Sequence, residues 1–447
     1  MSFLFYLRNL TFTENLEIMK HLRNSLLIGL ALLTSIYSNS QLELTGQYKA
    51  RAEFANGYQQ PLMSDQDPGF FIAQRARLGA KYTHEKFAFN LSMQDVRTWG
   101  NTSHLAIDNN GLLSIYQANV SLFLNNKWTL KVGRQPISYD NQRIFGGLDW
   151  AMQGRRHDGV ILKFRDSSWS VDVGATYNQE KASNTEIFYT LNNYKTFQYL
   201  WANKKWDNFS ASVLVLNNGV DQIYLEDSVY KSRTNFSQTI GTHLEYKRKK
   251  FDVIAYGYYQ MGVAPNKQTL SAYNASLAGT YKPNKNWGIT LGGEILSGTS
   301  DEATINDRNE SFTPLYGTNH LFNGFMDYFY VGNHGNNVGL MDGYLKAKYS
   351  KGKYTFGLAN HMFYAAADVA RPGNFTPNFI AMDPYLGYEI DFTVKYQFAD
   401  EVTIQAGYSH MFGTGTMREL KNVDNNDTSG WAYVMLTLKP FKNFQLK

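Results

Sequence analysis

The chain has 447 residues, 15% of them Phe, Trp or Tyr and only 18% charged, with 36 glycines, 10 prolines and no cysteine. Without cysteine there is no disulfide scaffold and no thiol-based metal or redox chemistry. A mean hydropathy of −0.40 argues against a bundle of membrane helices, and a net charge of +5 spread along the chain gives nucleic acid no footing.

The N-terminus reads as an address. Met19-Lys20-His21-Leu22-Arg23 is a short basic stretch running into apolar residues 25–36, with Ser38, Ser40 and Gln41 behind it. That is the order of a secretory signal, and its apolar part is shorter than the roughly 20 residues of a spanning helix. Residues 1–40 are therefore expected to be an N-terminal extension and signal peptide, with Met19 a plausible start. Residues 41–447 are expected to form one domain.

From Leu42 to Phe54 every even position is apolar, small or aromatic and every odd one polar, the period of a strand wet on one face only. The alternation returns in Arg75–Tyr82, Phe87–Met93, Tyr116–Leu124, Trp169–Asn178, Tyr273–Tyr281, Trp287–Ile295, Tyr344–Tyr349, Glu389–Phe398 and Val402–Tyr408. Less regular strands are expected at 128–139, 157–165, 196–206, 209–218, 237–249, 251–262, 353–364 and 430–439. Short polar links alternate with mostly longer ones at 55–70, 101–112, 140–156, 180–195, 219–236, 263–268, 299–337, 365–380 and 414–429. About eighteen strands joined in this way predict an all-β fold: a transmembrane, antiparallel, up-and-down β-barrel of outer-membrane type. In lipid such a sheet must close on itself, because every backbone group needs a partner. Aromatics near strand ends, such as Trp128, Trp169, Trp206, Tyr281, Trp287 and Tyr349, suit the two interfaces.

If the apolar positions face lipid, the alternate ones line the interior. They read Lys49, Arg51, Arg75, Arg77, Lys81, Lys131, Lys163, Lys346, Lys348 and Lys395 against Glu43, Glu53, Asp172, Glu294, Glu389 and Asp391. A basic excess in a narrow channel concentrates anions; the plainer reading is a set of ion pairs that stabilise the wall. Between two convincing strands, residues 134–159 lose the alternation and carry four arginines, three aspartates and a histidine. In a barrel this segment is expected to fold inward and narrow the lumen.

Parts of that segment are familiar. Val132-Gly133-Arg134-Gln135, Arg143-Ile144-Phe145-Gly146 and Gln153-Gly154-Arg155-Arg156-His157-Asp158, with Leu386-Gly387-Tyr388-Glu389-Ile390-Asp391 and Gly407-Tyr408-Ser409, resemble the alginate-export family of outer-membrane barrels in its Bacteroidetes-type branch. The resemblance implies an eighteen-stranded channel with an arginine-lined, anion-selective constriction. Arg134, Arg143, Arg155, Arg156 and Asp158 are the positions it matches to that constriction and its ion pairs.

Enzyme chemistry finds little support. The histidines mostly stand apart, and there is no GxSxG elbow, HExxH pair or phosphate-binding glycine loop. His320 and His334 share the 299–337 loop with Asp301, Glu302, Asp307 and Glu310, where a solvated acidic loop is a simpler reading than a metal site. The acidic pairs there and at Asp424-Asn425-Asn426-Asp427 lack EF-hand spacing. The expectation is a passive channel, without catalytic residues, cofactor or metal. Its partners would be outer-membrane lipid and an anionic oligo- or polysaccharide as cargo, with other envelope proteins left open. The competing expectation is a plugged, adhesive barrel that binds a partner through exposed aromatics of the 299–337 loop: Tyr316, Phe322, Phe325, Tyr328, Phe329 and Tyr330.

Overall fold

The computed structural model describes residues 41–105, 113–185, 187–191, 194–301, 307–371, 379–424 and 429–441, and the backbone of 445–446. The expected signal at 1–40 lies outside the described residues, as do Glu302 and 425–427. The strands are β1 (Gln41–Asn56), β2 (Gly69–Thr83), β3 (Phe87–Thr98), β4 (Leu113–Phe123), β5 (Trp128–Gln135), β6 (His157–Arg165), β7 (Trp169–Tyr177), β8 (Thr196–Lys205), β9 (Phe209–Glu226) and β10 (Val229–Lys247). They continue as β11 (Phe251–Val263), β12 (Thr269–Tyr281), β13 (Trp287–Leu296), β14 (Arg308–Asn309), β15 (Leu340–Lys351), β16 (Tyr354–Tyr364), β17 (Tyr385–Ala399), β18 (Val402–Gly413), β19 (Ser429–Leu438) and β20 (Gln445–Leu446). A short helix, α1 (Gly415–Lys421), precedes β19.

β14 and β20 are two-residue pieces; the other eighteen strands form the wall. Sequential wall strands pair antiparallel, and β19 returns to β1 with Ala52 opposite Val434. The sheet is a closed barrel. Its alternation is the one the sequence announces: on β1, Lys49, Arg51 and Glu53 are buried in the lumen while Phe54 is exposed on the outer face. The outer face continues as Leu78, Val213, Leu277, Leu291 and Val434, all exposed apolar residues in a position to meet lipid.

Several strand limits differ from expectation by four residues or more, and two of the differences have a clear local cause. Residues 219–236 are not a loop: β9 and β10 run on as a paired ribbon to Asp227 and Ser228, whose φ angles of 50° and 60° make a tight hairpin turn. Gly219, Asp221, Glu226 and Asp227 look like a loop in sequence, yet the β-prone Ile223, Tyr224, Val229 and Tyr230 carry the pairing onward. β5 stops at Gln135 instead of 139 because Pro136 has no N–H for the ladder.

At the end of the barrel with the longer connections, segments 136–156 and 307–339 turn inward and meet. The aromatics of the second are therefore not a displayed surface. Tyr316, Tyr328, Phe329 and Tyr330 are buried, and Phe322 and Phe325 partly so. The adhesive expectation loses its motive with them.

Candidate functional site

The lumen is built from two walls of opposite charge and the two loops they hold. On β1–β3, Lys49 Nζ donates to the carbonyl and the carboxylate of Asp149, at 2.9 and 3.1 Å. Arg75 Nη2 reaches the other Asp149 oxygen at 2.7 Å, and its Nη1 donates to the Met152 carbonyl at 3.0 Å. Arg51 binds Glu53 and the Trp150 carbonyl, at 2.8 and 3.1 Å. Arg77 grips Gln94 Oε1 at 2.6 Å, and Gln94 in turn donates to the Gln153 carbonyl. The first loop is thus draped over a basic wall, with its backbone oxygens as acceptors. Burial pulls the Asp149 carboxyl upward, but Lys49 and Arg75 outweigh it and hold it below the usual carboxylate range.

The opposite wall, β13–β17, is acidic where it meets the loops, with Lys346, Lys348 and Lys395 farther toward the short turns. Arg143 in the first loop forms a buried ion pair with Glu294, 2.8 Å from Nε to Oε1, and its guanidinium lies 4.4 Å over the Phe322 ring. Asn323 Nδ2 donates to Glu294 at 3.1 Å and Asp342 at 3.2 Å. Glu389 accepts from Met326 N at 2.8 Å. Gly324 sits so close, at φ +83°, that a Cβ there would stand 2.5 Å from the Glu389 carboxylate; only glycine fits. His361 Nδ1 bonds Asp342 at 2.9 Å, while its Nε2 is 4.0 Å from Asp391. Among the described residues no arginine reaches Glu389 or Asp391, so these two acids do not pin the arginine-rich segment.

Between the walls the loops bind each other. Gly146 N donates to the Tyr316 carbonyl at 2.9 Å, Thr318 N to Gln142 at 3.0 Å, and Arg155 Nη1 to Gly317 at 2.7 Å. Trp150 stacks on His320 with centroids 4.1 Å apart and planes 8° apart, and Arg51 covers its other face at 4.1 Å. Phe325 extends the stack, 5.1 Å from His320. A continuous pile of flat groups therefore crosses the lumen. The second loop touches β11 through Gln260 and Thr313, and the end of β1 through Tyr328 and Gly57. On the short-turn side of this double loop lie cavities of about 530 Å³ against β1–β4 and about 310 Å³ against β15–β18.

The predicted site residues divide. Arg51, Arg75 and Arg77 line the lumen, but all three hold protein acceptors. Arg143 is buried in the junction of loop and acidic wall. Arg155 is spent on Gly317, with burial lowering its pKa. Arg156 is half-buried at the rim, 3.5 Å from the Gln153 carbonyl. Lys131 lines the lumen and has no ion-pair partner among the described residues. Arg134 and Asp158 depart from expectation. They are direct cross-strand partners, bonded at 2.7 and 2.8 Å, between the inward pair Gln135–His157 and the outward Val132–Val160 row. Alternation puts them on the outer face of the barrel, away from the lumen.

Sequence reading did not single out Asp149, Trp150, Asp342 or His361, and it placed His320 and His334 in a solvated acidic loop, whereas both are buried. His320 bonds Asp327 at 2.7 Å, and His334 bonds the Gly339 carbonyl at 2.9 Å. Among the described residues no His, Asp and Glu group is arranged to hold a metal. Asp149 and Trp150 lie inside the arginine-rich segment, but no periodicity distinguishes them there.

Solved outer-membrane barrels share this architecture. Acinetobacter baumannii OccAB1 superposes with a TM-score of 0.58 at 12% identity, over 89% of this chain and 97% of that one. Pseudomonas aeruginosa OccD3 (OpdP) gives 0.56 at 12%, covering 89% and 91%. Pseudomonas aeruginosa OccK2 (OpdF), solved in complex with glucuronate, gives 0.55 at 11%, covering 89% and 97%. At such identities the likeness is one of fold. No curated protein matches the sequence. The alginate-export family model, in contrast, aligns with residues 40–430. A closed eighteen-stranded barrel, an apolar outer face, a charged lumen crossed by inward loops and that alignment agree: the chain belongs to the alginate-export family and is a porin-like β-barrel channel of the outer membrane, not an enzyme.

Proposed function

We propose that the protein is a passive channel for anionic saccharides or other acidic solutes, delivered to the outer membrane by the signal in residues 1–40. The observation that carries this reading is the set of lumen cations without an acidic partner. Lys131, Lys346, Lys348 and Lys395 form no ion pair among the described residues, whereas every carboxylate of the basic wall is engaged. Unpaired ammonium groups in a narrow, low-dielectric passage raise the local concentration of anions. The two interlocked loops cross the route, and Arg156 stands half-buried beside them. Several weak, equivalent cationic contacts suit a polyanion that must enter and leave.

Planar-bilayer recording in a salt gradient tests this. The wild-type reversal potential is expected to favour anions, and Lys131→Glu with Arg156→Glu to move it toward cations while the barrel keeps its heat-dependent gel mobility. Molar salt should blunt the wild-type preference, as screening shortens to about 3 Å. A wild-type channel without sign preference would sink the reading.

A further inference from the structure

The register of β15, β16 and β17 makes a hollow in the lumen wall on the short-turn side of the loops. Lys346 stands opposite Ala359, and Ala359 opposite Asp391; one step along, Lys348 stands opposite Gly357, and Gly357 opposite Thr393. The middle strand thus presents its two smallest side chains between rows of long polar ones. The outer rows are roughly 10 Å apart by normal strand spacing, about the width of one sugar-sized solute. A Cβ at Gly357 would meet the Thr393 hydroxyl at 2.6 Å, so Thr393 leans over the strand there and only glycine leaves it room. Lys395 extends the far row, and Phe325, at the end of the stacked pile, roofs the cavity of about 310 Å³.

Charge in this hollow is unbalanced in a particular way. Asp391 is 2% exposed and lines the cavity; the Glu389 carboxyl abuts it and His361 Nε2 stands 4.0 Å away, but neither of its oxygens accepts from an N–H donor. Lys346 lies across the floor without pairing to it, its ammonium 4.6 Å over the Tyr344 ring. Lys348 and Lys395 form no ion pair among the described residues. A buried polar group without a partner is costly, and its commonest explanation is a ligand or solvent that supplies one. A bare carboxylic acid would satisfy the lysines and leave Asp391 unmet. A solute that also carries hydroxyl donors would satisfy both.

We propose that this hollow is a solute-binding station for polyhydroxylated organic acids, in which Lys348 and Lys395 take the carboxylate, Asp391 takes hydroxyl donors and Phe325 covers the carbon skeleton. It deepens the anion-channel reading and rests on it, adding selection by hydroxyl pattern to selection by sign. Asp391 becomes the residue that tells a sugar acid from a simple one.

Block of the chloride current through the full-length channel tests it, with gluconate as the probe and propionate as the control. Wild type should be blocked by gluconate at a concentration about tenfold or more below that of propionate, the scale of one hydrogen bond to a charged group. Asp391→Asn should bring the two blockers together. Ala359→Leu, which fills the hollow without touching charge, should weaken gluconate block alone, and covers the case in which the Asp391 variant fails to fold. Equal block of wild type by both acids, or a gluconate advantage that survives Asp391→Asn or Ala359→Leu, would overturn the station. Loss of chloride preference in wild type overturns the anion reading instead, and is read independently from the reversal potential.

Discussion

The two charged walls of the lumen hold their loops by different means. On β1–β3 each arginine and Lys49 finds an acceptor, three of them main-chain carbonyls (Asp149, Trp150 and Met152) and the others side-chain oxygens of Gln47, Glu53, Gln94, Asp95 and Asp149. On β13–β17 the carboxylates outnumber the donors that the second loop offers, which are the Asn323 amide, Met326 N and, from the first loop, Arg143. Any loop backbone has many carbonyls that can serve a cation from several angles. A carboxylate needs N–H or O–H groups, which a folded segment exposes more sparingly. The basic wall therefore ends up nearly satisfied, and the acidic wall retains both oxygens of Asp391 and one of Glu389 without an N–H donor.

Removing a single partner should expose that difference most strongly at Arg143. Arg143→Ala leaves Glu294 buried and unpaired, a change of about 3–5 kcal/mol for such pairs. Both loops should loosen together, seen as faster protease cleavage within 297–339 and a higher single-channel conductance. Adding Glu294→Gln should restore most of the loss; if it does not, the pair is not what holds the junction.

On the basic wall the matching change, Asp149→Asn, should cost less, about 1 kcal/mol, because the carboxylate side chain is 64% exposed and water screens it. Its electrical effect is the more informative one. With one anion lost and Lys49 and Arg75 released, the reversal potential should shift further toward anions. An unchanged potential would mean that the ions pass elsewhere.

Acid titration separates the walls a third way. The Asp149 pKa is depressed in the folded protein, so its contribution is fully present above the unfolded value of about 3.9 and is lost only as pH falls through the lower folded one. Loop release on the basic side should appear below about pH 4 as a rise in conductance noise. If release begins near pH 6, the anchor that fails is on the acidic wall, and Asp149→Asn would not alter it.

The smallest effect is expected outside the lumen. Arg134→Ala breaks an exposed cross-strand pair worth about 0.2–1 kcal/mol and should leave ion preference as it was. A changed reversal potential in that variant would contradict the outward placement of Arg134.

Much of the barrel was legible beforehand because its signal is local. A strand between lipid and water must alternate at every second residue, and Leu42–Phe54 or Tyr273–Tyr281 shows that without any knowledge of neighbours. The inward turn of residues 136–156 was legible for the same reason, since a charged stretch that breaks alternation has no place in the wall. Residues 219–236 were expected as a loop because Asp221, Glu226 and Asp227 are polar, but they lie on a ribbon that has already left the apolar belt, where polarity no longer marks a loop.

The sequence by itself determined which residues face in or out along a regular strand, and so the sign and rough inventory of the lumen. It could not decide which of those charges remain available. That depends on contacts between residues more than a hundred positions apart, such as Arg143 with Asn323 and Arg155 with Gly317, and no periodic signal encodes them. Nor could it place Arg134 and Asp158, which sit in the motif but fall on the outer face through one more step of alternation beyond Val132. Tertiary structure alone sorted the arginines into anchors and the lysines of β5, β15 and β17 into unpaired cations, because a charge in a closed lumen is free only if no folded segment reaches it first.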